Sequence, residues 1–110
     1  MKAFTDINQS RKLAEILPHE SADFHFSANQ SLQGYLEKPI LGNSEYADYS
    51  AFPCWSLTAL LDVLPPGKIL LHDKETKKYK VIYIIDSNLH CNAIDACVEM
   101  IHKLHEQKLL

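Results

Sequence analysis

Residues 68–85 read KILLHDKETKKYKVIYII, and this stretch decides the fold class. Two runs rich in β-branched and aromatic residues, 68–72 and 79–85, flank a charged Asp-Lys-Glu-Thr-Lys segment, which is the pattern of a β-hairpin. Side chains alternate along a strand, so Val81, Tyr83 and Ile85 point one way and Ile82 and Ile84 the other. Both faces are apolar, which predicts an inner strand with a third strand on its free edge. Residues 23–27, where Phe24 and Phe26 alternate with His25, are the best candidate for that third strand.

Helix signals lie on both sides of the hairpin. Downstream, Asn92 is placed to cap a helix from 93 to about 107, with Asp95 three residues later as in a capping box. Ile94, Cys97, Val98, Ile101 and Leu104 fall on one face of it and predict a core-facing stripe. Asp95 and Glu99 near its start and Lys103 and Lys108 near its end suit the helix dipole, and Glu99 with Lys103 forms an i,i+4 pair. Upstream, Ser56 caps a shorter helix with the stripe Leu57, Leu60, Leu61 and Leu64, which Pro65 and Pro66 stop. Trp55 precedes the cap and Leu60 follows it at the spacing of a hydrophobic staple, a structural role for the indole. A first helix begins near Thr5 or Asp6 with a polar turn and carries Leu13, Ile16 and Leu17 to Pro18. Between 28 and 53, Gly34, Pro39 and Gly42 punctuate a long loop or short irregular elements. The whole reads as a single α+β domain over 1–110, a small antiparallel sheet of about three strands, including hairpin 68–85, packed against about three helices.

Composition excludes several function classes. Hydrophobic residues at 46% and charged residues at 23% match globular usage, so a disordered or fibrous chain is not expected. A net charge of −3 without a basic stripe argues against nucleic acid as a partner. The longest apolar runs, 69–71 and 81–85, fall far short of the roughly 20 residues of a membrane span. In the opening MKAFTDINQSRKLAEIL, Asp6, Asn8, Gln9 and Arg11 interrupt any secretory core. Cys54, Cys91 and Cys97 are odd in number and sparse, which predicts free thiols in a reducing, cytoplasmic setting.

The chemistry-bearing residues form no strong motif. His90, Cys91, Cys97, His102 and His105 are the densest group, but no Cys-x-x-Cys or His-Glu-x-x-His spacing is present, and Cys97 belongs to the apolar stripe. No metal and no cofactor are expected. Cys54, in Pro-Cys-Trp-Ser ahead of a helix, is a weak candidate nucleophile that needs a His base, and it supports the alternative of a small thiol-dependent hydrolase. Phosphate-loop, dinucleotide-binding, nucleophile-elbow and kinase signatures are absent from the sequence. The aromatic series Tyr46, Tyr49, Phe52 and Trp55 recurs every three residues and reads either as a recognition surface or as a lid over the core. The leading expectation is a non-enzymatic protein-interaction module that presents a helix face or the aromatic segment with Tyr46, Tyr49, Phe52 and Trp55 to a protein partner or weakly to itself, the aromatic segment being the expected contact.

Three patches carry a resemblance. PCWSLTALLDVLP, the hairpin followed by AIDACVEMIHKL, and the earlier LPHESADFHF are similar to short proteins of gut Bacteroides and their phages or prophages. The likeness skips residues 28–51. That group has no established activity, so no catalytic role carries over to any residue. What the resemblance implies is a bacterial or phage origin, and a cytoplasmic or virion-associated place.

Overall fold

The computed structural model describes residues 2–26, 28–29, 34–35, 39–41 and 52–110. Three helices run in chain order as α1 (Ile7–Ala14), α2 (Leu57–Val63) and α3 (Ala93–Glu106). The strands are β1 (Phe24–Phe26), β2 (Ala28–Asn29), β3 (Gly34–Tyr35), β4 (Ile40–Leu41), β5 (Phe52–Cys54), β6 (Ile69–His72) and β7 (Tyr79–Ile82). All pairings are antiparallel, and the fold is the α+β class that the hairpin and helix signals predict.

Helix α3 packs against β7 and α2. Ile94, Cys97, Val98, Ile101 and Leu104, the stripe read from the sequence, are all buried, joined by Ala96 and Met100. Asn92 Oδ1 accepts the Asp95 N–H at 2.8 Å, so the predicted cap is in place. The reciprocal bond differs from a capping box, because the Asp95 carboxylate accepts from the Asn92 side-chain amide at 2.9 Å rather than from its backbone. The Glu99–Lys103 pair closes at 3.0 Å.

Helix α2 starts where its Ser56 cap places it, with Ser56 Oγ accepting from Ala59 N. Its buried residues are Ala59, Leu60 and the cap residue Leu64, whereas Leu57 and Leu61 are half-buried at the margin of the core. Helix α1 is better anchored than its polar first turn suggests. Asp6 and Gln9 form a full capping box, and Gln9 Nε2 reaches Asp95 Oδ1 at 2.8 Å.

The sheet corrects two expectations. The strand at Phe24–Phe26 does not lie beside the hairpin; it is the centre of a three-stranded sheet ordered β4-β1-β5, and β6 with β7 forms a separate two-stranded sheet. Pro53, opposite His25, lies in an edge strand, where a residue with no N–H is tolerated. What borders β7 instead is the returning segment 86–90: His90 and Tyr79 exchange backbone bonds at 2.7 and 2.6 Å, and Ser87 N donates to Val81 O at 2.8 Å. Strand β7 also ends at Ile82 rather than 85, because Tyr83 N turns to donate to Ile85 O. The stretch read as a long loop or short irregular elements, 28–53, contains the short strands β2, β3 and β4 and most of β5.

Asp95 joins the N-terminal segment to α3. Lys2 Nζ lies 2.8 Å from Asp95 and 3.1 Å from Asp6. Burial works to raise the Asp95 carboxyl, but hydrogen bonds from Lys2, Gln9 and Asn92 outweigh it and hold the group below its ordinary value. Glu99 follows the same balance, with burial opposed by His90, Asn88 and Lys103. A carboxylate depressed in the folded state stabilises it fully above its unfolded pKa, and that contribution is lost as pH falls through the folded value. The urea midpoint is therefore expected to fall on acidification below about pH 4, where ordinary carboxylates begin to protonate. Asp95→Asn, which has no proton to take up there, should show a shallower fall than the parent; parallel curves would show that the Lys2–Asp95 contact is not formed in solution.

Candidate functional site

Cys54, the candidate nucleophile, ends β5 with its side chain wholly buried. Thr5 Oγ1 donates to its sulfur at 3.6 Å, and the thiol points back to Thr5 O at 3.5 Å. Thr5 is itself buried, and its hydroxyl lies 2.8 Å from Ser10 Oγ and accepts the Trp55 N–H at 3.1 Å. With Thr5 N donating to Trp55 O at 2.9 Å, this cluster fastens the N-terminal segment to the β5–α2 junction. Burial pushes the Cys54 thiol up, and the charges of Asp23 and Asp6 add to that against the Thr5 and Ser10 hydrogen bonds. That is the reverse of what an attacking thiolate needs. The start of α2 is likewise occupied: Asp23 accepts from both Ser56 N and Ser56 Oγ.

The His and Cys residues singled out in the last third of the sequence are dispersed. Cys97 is buried in the core, where burial lifts its thiol to about 11. Cys91 is exposed, and all three cysteines are free. His90 Nε2 lies 2.6 Å from Glu99 Oε1, in a contact that ties the return segment to α3. Glu99 also accepts the Asn88 N–H at 2.9 Å, and Lys103 donates to Asp86 O at 3.0 Å. Among the described residues no three His, Cys, Asp or Glu side chains converge as a metal site would require.

The aromatic series divides. Trp55 is a core residue with no exposed surface, and its Nε1 donates to Ser21 Oγ at 3.0 Å. It therefore belongs to no surface. Phe52 pairs with Phe26 through the backbone of β5, and Tyr46 and Tyr49 lie outside the described residues.

Exposed large apolar side chains among the described residues are Ile40, Leu41, Ile84, Leu89, Leu109 and Leu110, and on the hairpin strand β6 Ile69 and Leu71. Cross-strand partners share a face, so Ile69 with Ile82, and Leu71 with Lys80, lie on the side opposite Leu70 and Val81. Val81 is fully buried, whereas Ile69 is 55% and Leu71 40% exposed. Among the described residues β6 has β7 as its one strand neighbour, so its other edge presents backbone groups outward. The charge is also concentrated here. Lys68, Lys74, Lys77, Lys78 and Lys80 against Asp73 and Glu75 give 68–82 a charge of +3, in a chain whose total is −3. The sequence carried both signals, the Ile-Leu-Leu period and the lysine density, but the apolar character of both faces of 79–85 pointed to an inner strand instead.

Comparisons with protein-family models, with curated proteins and with solved structures return no match to this chain. Among the described residues no helix is long and apolar enough to cross a membrane.

Proposed function

We propose that this chain is a non-enzymatic protein-interaction module that takes up an extended, acidic segment of a partner protein along β6. The observation that carries this reading is the open β6 edge, with Ile69 and Leu71 facing outward in a hairpin of charge +3. Strand addition obtains affinity from main-chain hydrogen bonds and specificity from alternate side chains, and those are the groups this edge offers. Acidic residues on the incoming strand complement the lysines and raise the rate of encounter. Two copies joined edge to edge along the four residues of β6 would bury less than the roughly 1,200 Å² of a stable interface, so self-association is weak. The buried, raised Cys54 thiol counts against the hydrolase alternative. With the resemblance to Bacteroides and phage proteins, the reading is of a bacterial or phage module in the cytoplasm or the virion.

A synthetic peptide of alternating Val and Glu, titrated into labelled protein, is expected to shift the amide signals of 69–72. Its Val-Lys counterpart should not. Ile69→Lys with Leu71→Lys should abolish the shifts at unchanged thermal stability, since both side chains are already exposed. Tyr46→Ser with Tyr49→Ser tests the surface that the sequence alone suggests. Loss of binding in that variant, or no shifts at 69–72 in the parent, would overturn the β6 reading.

A further inference from the structure

We propose a second site on the inner side of the hairpin, a cavity for a small organic anion with an apolar body and a carboxylate or phosphate end. Leu70 and Tyr79 from the hairpin, Leu57 from the start of α2 and the residues just ahead of α3 enclose about 470 Å³. This volume lies within the roughly 300–1,000 Å³ typical of small-molecule sites. Its lining is mostly apolar, and the basic side chains on its wall are Lys2 and Lys77.

Among the described residues no Asp or Glu lines the cavity, although acidic residues outnumber basic ones, 14 to 11, in the chain. The two lysines play different parts. Lys2 Nζ is fixed between Asp6 and Asp95 at 3.1 and 2.8 Å, so its single charge is more than matched by two carboxylates and adds nothing for an anion. Lys77, on the hairpin turn, has no ion-pair partner among the described residues and supplies the free positive charge. At the start of α3 the Asp95 N–H is already taken by Asn92. Leu57, Leu70 and Tyr79 therefore select an apolar body, and Lys77 selects its anionic end.

Cys91 reports on this site. It lines the cavity and is exposed, whereas Cys54 and Cys97 are buried, so iodoacetamide should modify the folded protein at Cys91. The probe is 4-phenylbutyrate, and its neutral control is 4-phenylbutan-1-ol. The acid is expected to slow Cys91 alkylation saturably, measured by mass spectrometry, and the alcohol to protect only at higher concentration. Lys77→Met should raise the half-protecting concentration of the acid roughly fivefold, the scale of one exposed charge pair, and leave the alcohol unchanged. Leu70→Trp, which fills the floor, should remove protection by both; if that variant fails to fold, Lys77→Met still decides. Absence of protection overturns the site, and equal protection by acid and alcohol, or no effect of Lys77→Met, overturns its preference for anions. The readout is alkylation of Cys91, on the inner side of the hairpin, so loss of protection there and loss of the 69–72 amide shifts are separate results.

Discussion

Trp55→Ala is expected to lower the unfolding free energy by roughly 3–5 kcal/mol, the range for deleting a buried large aromatic side chain. Domains of this size have about 5–15 kcal/mol in total, so the variant should be close to unfolding at 37 °C. The indole is buried without remainder in the cluster formed by Leu13, Leu60, Ile101 and Leu104, and its removal leaves a void that a helix cap on one side and a strand end on the other cannot close. It also takes the Nε1–H from Ser21 Oγ, which retains its own bond to Pro18 O at 2.6 Å. Trp55→Phe keeps most of the apolar area and loses that bond, so it should cost far less, about 1 kcal/mol for the bond and a further increment for the smaller ring. Because Trp55 is the single tryptophan, urea unfolding has to be followed by circular dichroism. A loss under about 1 kcal/mol for Trp55→Ala would mean that the ring lies at the surface, and would return it to the aromatic recognition series.

The helices were legible because each is specified locally. Asn92, Ser56 and Asp6 accept from the amide three residues on, and the burial of α3 follows its 3.6-residue period without exception among Ile94, Cys97, Val98, Ile101 and Leu104. Trp55 was legible for the same reason, since the staple depends on the spacing of Trp55 and Leu60 about one cap. Sheet partners are set by distant backbone. Nothing in Ser87, Asn88 and Leu89 has the composition of a strand, yet 86–90 borders β7 because Ser87 Oγ accepts the Val81 N–H at 2.8 Å and Glu99 holds Asn88 and His90 from the far side. With β7 bordered in this way, Phe24–Phe26 was free to pair with β4 and β5. The candidate site was hidden by the same displacement: an apolar run with both faces filled implies burial on both, and only the actual pairing leaves Ile69 and Leu71 outward. The strands β2, β3 and β4 are two residues long, too short for any period to show.

Leu60→Ala should cost roughly 2–5 kcal/mol, whereas Leu61→Ala, one position on, should cost about 1 kcal/mol. The leucine spacing alone puts both on one stripe, and a difference between them tests how α2 is rolled against α3. Leu60 has no exposed surface and packs with Trp55, Ile101 and Leu104 in the core cluster. Its neighbour is half-buried at the cluster's edge, so truncation there opens to solvent instead of leaving a closed cavity, and the cavity contribution disappears. The roll is fixed at both ends of this short helix: Ser56 is held by Asp23 at the start, and the Leu64 N–H returns to Leu60 O before Pro65 and Pro66 end the helix. Seven residues held at both ends cannot rotate to bring Leu61 inward when Leu60 is cut back. Urea midpoints at constant m-value give the comparison directly. Equal losses at the two positions, or the larger loss at Leu61, would place the helix in the rotation that the leucine stripe suggests and would take Leu60 out of contact with α3.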